Sequence, residues 1–284
     1  MKKNILIWNI AVYMLLFIGC SQDVEEHVEE QYSSKGVKIS NFKDTRDGQV
    51  YHTATFGDAG EWMTENLAFE PPASYGGLTY IHSATTSTAP SWTRPSADGI
   101  TEITETQAKA QSYGSGRLGY LYNWAAAMKI ADSRVTSGIG SQGICPTGWH
   151  LPTDTEWTAL EAEIAAHASK YSTSNDGLGT GYGPEGSASI AFRSTTKVPN
   201  SIYPLSKSTS NSADDGGFNG LLVGAQGDFG NSYGSHTSFW SSTSVNDTNA
   251  YYRGLNYFYA DVFNSKYGHE KDYRQFSVRC VKNK

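Results

Sequence analysis

Cys145-Pro-Thr-Gly-Trp-His-Leu-Pro-Thr-Asp-Thr-Glu-Trp157 holds a cysteine, a turn and the start of a helix in one short run. Thr153-Asp-Thr-Glu156 has the spacing of a capping box. In that motif the Thr hydroxyl accepts from the amide three residues on, and the Glu carboxylate reaches back to the Thr amide. Trp157, Leu160, Ile164, Ala168 and Tyr171 then fall along one helical face, which predicts a helix from about Asp154 to about Lys170. Far downstream, Ser277-Val-Arg-Cys-Val-Lys282 reads as part of a closing strand over Phe276–Lys282 and carries another cysteine.

The chain has three cysteines, and the first has its own context. Residues 1–19 read as an export signal: Lys2 and Lys3, then an apolar run ending in Leu16-Phe-Ile-Gly-Cys20. That ending is similar to a bacterial lipobox, which implies cleavage before a lipid-modified Cys20. The alternative, an uncleaved membrane helix, meets an apolar stretch shorter than the roughly 20 residues a span needs and interrupted by Asn9. Residues 20–36 are expected to be a flexible tether. Their polar, acidic beginning, Ser21-Gln-Asp-Val-Glu-Glu-His-Val-Glu-Glu30, has too little apolar surface to fold alone. An acidic stretch after a lipidated cysteine resembles the surface-export signals of Bacteroidetes lipoproteins, so the expected location is the outer membrane, lipid-anchored and facing outward at the cell surface. In that oxidising compartment Cys145 and Cys280 are expected to pair, against the alternative of two buried free thiols.

Loss of Lys2 and Lys3 with the signal takes the formal charge from -6 to -8 and leaves about 265 of the 284 residues, ample for one core. A chain this acidic, without clustered Lys and Arg, does not suit nucleic acid. Val37–Phe42 alternates as a half-buried strand; Asp47-Gly48 supplies a turn, and Gln49–Phe56 alternates again, predicting a hairpin. Glu61–Leu67 is expected as a third strand, and residues 70–118 as a long excursion with at most a short helix around Thr104–Gln111. Leu121, Trp124, Ala125 and Met128 predict a helix over Gly119–Ile130. Later strands are expected at Ser189–Phe192, Leu221–Ala225, Phe239–Thr243 and Ala250–Tyr259. Two helices between strands at both ends place residues 37–284 in the α+β class as a single domain.

In order along the chain, Asp47-Gly48 with Val50-Tyr51, Glu61-Trp-Met-Thr-Glu-Asn-Leu67, Leu121-Tyr-Asn-Trp124, the Cys145–Trp157 run, Phe239-Trp-Ser-Ser-Thr243 and Ser277-Val-Arg-Cys280 resemble the Fibrobacter succinogenes major paralogous domain family of exported bacterial proteins. That family looks like a relative of the C-type lectin-like fold. The resemblance implies two helices, a mainly antiparallel sheet with paired terminal strands, and long loops that often carry ligands. It also implies a disulfide from near the second helix to the last strand, the pairing that the cysteine count favours. It says little about activity.

His150 lies between Trp149 and Leu151 just before the helix, and no H-x-x-x-H or similar spacing accompanies it, so packing or capping is the expected role. Gly181-Tyr-Gly-Pro-Glu-Gly186 matches G-x-G-x-x-G in form only, because it follows a helix and contains Pro184. No G-x-S-x-G elbow is present, and the redox cysteines of the fold-related formylglycine-generating enzymes have no free counterpart here.

Asp214, Asp215, Asp228 and Asp247 supply oxygen ligands of the kind calcium takes, roughly six to eight at a time. Turn formation explains them without a metal. The expectation is therefore no cofactor, with calcium as the alternative. Tyr233, Tyr252, Tyr257, Asp228, Asn246 and Asp247 are the candidate ligand-binding residues, in a late region rich in aromatics, Ser, Asn and Gly. Trp240 is assigned to the core. The expected protein is a lipid-anchored, non-catalytic binding or adhesion module for a glycan or an envelope protein. The alternatives are a structural component of an outer-membrane complex and a carbohydrate-active enzyme.

Overall fold

The computed structural model describes residues 30–82, 87–98, 100–135, 142–174, 189–204, 208–227, 232–258, 262–263 and 268–284. The signal segment, Cys20, the tether up to residue 29, the Gly181–Gly186 loop and Asp228 lie outside the described residues. Among the described residues no helix is long and apolar enough to cross a membrane.

The capping box forms as its spacing predicts. Thr153 Oγ1 accepts from the Glu156 amide at 3.2 Å, and Glu156 Oε2 accepts from the Thr153 amide at 2.8 Å. The helix runs Asp154–Ala166, breaks at His167, where φ is -128° and ψ 39°, and resumes as Ala168–Tyr171. Beyond the break the Tyr171 ring lies 4.9 Å from Phe56, and its hydroxyl donates to Glu163 Oε1 at 2.6 Å.

A six-stranded sheet is ordered Gln31–Tyr32, Lys38–Lys43, Val50–Thr55, Glu61–Met63, Val281–Lys282, Trp149–His150, every neighbour antiparallel. The first and last described strands thus belong to one sheet. The two quoted stretches lie side by side, Trp149 opposite Lys282 and His150 opposite Val281, and Cys145 is joined to Cys280. A second antiparallel sheet pairs His236–Ser244 with Asn249–Asn256, whose other edge takes Val262–Phe263 and His269–Glu270. Ile81–His82 runs parallel to Ser91–Thr93, which is antiparallel to Leu121–Tyr122. The fold is α+β and mostly antiparallel. Among the described residues it has five α-helices rather than two, and only Asp154–Ala166 exceeds five residues.

Several elements differ from the sequence expectation. Gln31–Tyr32, inside the expected tether, is an edge strand. The helix expected from Gly119 begins only at Trp124, because Asn123 Oδ1 caps it by accepting from the Ala126 amide at 2.9 Å. Leu121–Tyr122 is instead a strand, and Tyr122 bridges to Phe276. Ser189–Phe192 is a helical turn, closed by the Arg193 amide on Ser189 O; four residues are too few for periodicity to separate the two states. Leu221–Ala225 is not a strand, since Gly224 takes a φ of +80°. The closing strand is regular only at Val281–Lys282, because Phe276 and Ser277 each bridge to a different partner, Tyr122 and Phe239. Around Thr104 the expected short helix is present as Glu105–Lys109, with its own capping box.

Indole N–H groups lock the motif stretches together. Trp124 Nε1 donates to Ser241 O at 3.0 Å, Trp157 Nε1 to Trp240 O at 3.3 Å, and Trp240 Nε1 to Tyr122 O at 2.7 Å. Arg279 is completely buried and, among the described residues, bonds no carboxylate. Its guanidinium donates to Asn66 Oδ1 at 2.8 Å, Phe218 O at 2.9 Å and Asn219 O at 3.1 Å, and lies 4.6 Å from the Phe218 ring. Burial lowers its pKa to about 9, so it remains a cation at neutral pH. The Glu65 carboxylate accepts from Arg117 Nε at 2.9 Å, the His52 amide at 2.6 Å and Gln111 Nε2 at 2.8 Å. Those bonds offset the cost of burying the charges.

Candidate functional site

Three loop segments meet at one end of the second sheet. Asn256 closes its strand with an Asx turn, its Oδ1 accepting from the Phe258 amide at 2.8 Å, and the Tyr257 amide donates to Ser235 O at 2.8 Å. These bonds hold Tyr257 and Phe258 at the surface. From the other side, Pro199 and a left-handed Asn200 (φ 60°) turn the chain into Ser201-Ile-Tyr-Pro204. Gly234 lets that loop approach: a Cβ there, at φ +79°, would lie 1.9 Å from Ser201 Oγ.

The result is an aromatic ledge. Tyr203 and Tyr257 have centroids 5.0 Å apart at 45°, and Tyr257 and Phe258 are 6.1 Å apart, edge to face. Ile202 is 78% exposed and Phe258 73%. Beside the ledge a shallow groove is lined by Ser194, Thr196, Lys197, Ser201 and Tyr203 over Leu222. Aromatic rings next to hydroxyls present a stacking face and adaptable hydrogen-bonding groups together.

Of the described residues expected at a ligand site, Tyr257 alone is in this ledge; Asp228 lies outside the described residues. Tyr233 is only 1% exposed and belongs to the core, where burial pushes its phenol pKa up. Tyr252 is half-buried, 4.5 Å from His269 and 5.5 Å from Phe276; its neighbour Tyr251 is also half-buried, so the two do not divide cleanly between inside and outside. Asn246 and Asp247 are exposed in the hairpin turn, where Asn246 Oδ1 accepts from the Thr248 and Asn249 amides at 2.9 and 2.7 Å. Below that turn, Lys271 Nζ donates to Ser244 Oγ and Asn246 O, both at 2.7 Å, and lies 4.0 Å from the Trp124 ring; burial lowers its pKa to about 8.

The calcium candidates are dispersed. Asp215 accepts from the Ser34 amide at 3.2 Å, and Asp214 lines a polar concavity of about 70 Å³ with Asn41 and His52. Burial alone would raise the Asp214 pKa, but hydrogen bonds from Ser212 and Ser115 bring it below the usual carboxylate value. Among the described residues no group of three or more His, Cys, Asp or Glu converges as a metal site.

His150 bridges the chain end to the helix cap, with Nδ1 2.7 Å from Asn283 Oδ1 and Nε2 2.9 Å from Glu156 Oε1. The Glu156 contact raises the His150 pKa. Burial would raise the Glu156 pKa, but His150 and the Thr153 amide outweigh it and hold it at about 2. Both groups are occupied in structure.

Ile202, Tyr203, Phe258 and Lys197 were not singled out from sequence. The legible signal was local: an aromatic pair directly after Asn256, and Ile-Tyr between Pro199-Asn200 and Pro204, each beside a turn residue where strand alternation lapses.

The Fibrobacter succinogenes major domain matches residues 58–282, which leaves the first hairpin outside the matched region. No curated protein and no solved structure matches the chain.

Proposed function

We propose, from the premise that the chain belongs to the Fibrobacter succinogenes major domain family, that it is a non-catalytic, glycan-binding surface module. In this reading Cys20 is lipidated, the residues after it lead away from the outer membrane, and a C-type lectin-like domain faces outward. The first and last described strands lie in one sheet, though not as direct neighbours, and this together with the Cys145–Cys280 bond from before the helix to the last strand supports the lectin-like assignment. The observation that carries the functional reading is the Tyr203–Tyr257–Phe258 ledge beside a hydroxyl-lined groove.

A glycan array probed with residues 30–284 tests it: binding that is lost in the Tyr257→Ala/Phe258→Ala double variant is the expected result, and an array without signal overturns it. Membrane fractions carrying Cys20→Ala test the anchor, which predicts release; retention counts against lipidation. The exposure of Ile202 and Phe258 also favours a second reading, a protein partner in an outer-membrane complex. Stable co-purification with an envelope complex, lost in the same double variant and without glycan signal, would select it.

A further inference from the structure

We infer that the ledge takes an acidic saccharide, one bearing a carboxylate or sulfate, and that Lys197 reads its charge. This rests on the glycan reading above and adds the ligand's class.

Lys197 is exposed on the groove rim, and among the described residues it makes no hydrogen bond or ion pair. Several other lysines are engaged, Lys38 with Glu30, Lys109 with Glu105, Lys282 with Glu61, Lys35 with Ser172 O and Lys271 with Ser244. Lys43 and Lys170 are exposed and unpaired among the described residues as well, but Lys197 is the one that lines the groove beside the aromatic ledge. Among the described residues that line the groove there are hydroxyls and apolar carbons and no Asp or Glu to meet the ammonium charge. The negative net charge of the whole chain does not cancel it, because fields between exposed charges fade over about 8 Å at physiological ionic strength. One lysine is also too little for a polyanion bound by charge alone. A ligand that fits has a ring for the aromatic faces, a hydroxyl for Thr196, and one negative group within reach of Lys197; Ser194 and Ser201 shape the groove, their hydroxyls bonded to the Thr196 and Tyr203 backbone.

Matched pairs of oligosaccharides test this directly, uronates against their methyl esters and sulfated chains against unsulfated ones, with binding measured by calorimetry at low and high salt. The wild-type chain is expected to prefer the acidic member. Lys197→Gln should weaken acidic binding about two- to five-fold, the range of an exposed ion pair, and leave the neutral member unchanged. Lys197→Arg should keep the preference, and high salt should erase it. Equal binding of both members by the wild type, or a preference that survives Lys197→Gln, overturns the inference while the glycan reading stands. Binding of neither member of any pair removes both. Lys197 is exposed, so its variants are expected to melt with the wild type, which keeps lost binding separate from lost folding.

Discussion

Arg279 and Phe258 occupy opposite situations. Arg279 carries a full charge at 0% exposure, whereas Phe258 carries an apolar ring at 73% exposure. The buried charge is tolerated because Asn66, Phe218 and Asn219 meet it with oxygens inside the chain. The exposed ring has no comparable burial within the chain. The motif residues therefore hold the fold, and under the proposed reading the ledge is the region whose side chains meet an outside partner. If that contrast is correct, changes in the first region should cost stability and changes in the second should cost binding.

The disulfide should show the largest effect. Cys145 and Cys280 close a loop with a sequence separation of 135, and a loop of that size is worth roughly 4 to 5 kcal/mol by the chain-entropy model. The Cys145→Ala/Cys280→Ala double variant is expected to lose about that much in urea titration. A loss below about 1 kcal/mol would mean that the sheet, not the bond, joins the two stretches.

Arg279→Met should come next. It keeps most of the volume but leaves Asn66 Oδ1 and the Phe218 and Asn219 carbonyls without their donor, a loss of about 1 to 3 kcal/mol, the scale of a buried acceptor left unsatisfied. Equilibrium unfolding measures it. A near-neutral outcome would move Arg279 out of the scaffold and into the search for function.

How far these roles were legible from sequence depends on the range of the physics involved. The Thr153–Glu156 capping box is local, so its spacing alone predicted both hydrogen bonds. The Asp47-Gly48 hairpin is local in the same way and formed with Gly48 at φ +77°. Gly119–Ile130 went wrong because Asn123 acts as a cap at the middle of an apolar run that looked continuous. The Phe276–Ser277 region went wrong because its partners, Tyr122 and Phe239, lie far away in sequence. For the site, Tyr257 was named, but Tyr203 and Lys197 come from a loop more than fifty residues earlier, and no periodicity relates them. Tyr233 was misplaced because an aromatic between Ser232 and Gly234 has a surface-like neighbourhood in sequence and a core position in space.

A smaller, pH-dependent effect should come from the pair at the helix cap. Glu156 has its pKa lowered from 4.5 to about 2, so its contribution is present above pH 4.5 and fades as pH falls toward about 2. His150 has its pKa raised above 6.5, so its contribution is complete below pH 6.5 and is lost as pH rises through the folded-state value. Together they are strongest between about pH 4.5 and 6.5. Glu156→Gln is expected to flatten both limbs of the stability–pH curve and to cost up to about 1 kcal/mol in that window through the lost charge pair with His150, because Gln can still complete the capping box as Gln107 does. Melting temperatures across the pH range decide it, and parallel curves for variant and wild type would assign the pH dependence to other groups.

The smallest stability effect belongs to Phe258→Ala. A ring that is 73% exposed gives up little burial, so the change should stay within about 0.5 kcal/mol of the wild type in urea. Binding should respond differently, because one aromatic face contributes about 0.5 to 1.5 kcal/mol to a stacked contact, equivalent to roughly two- to tenfold in affinity. Calorimetry with the best glycan from the array supplies the second number. A variant that loses stability but not affinity would place Phe258 in the scaffold with Arg279 and remove the contrast between the two regions. A variant that keeps its stability and loses affinity would make the ledge the first surface of this domain whose side chains are chosen for something other than folding.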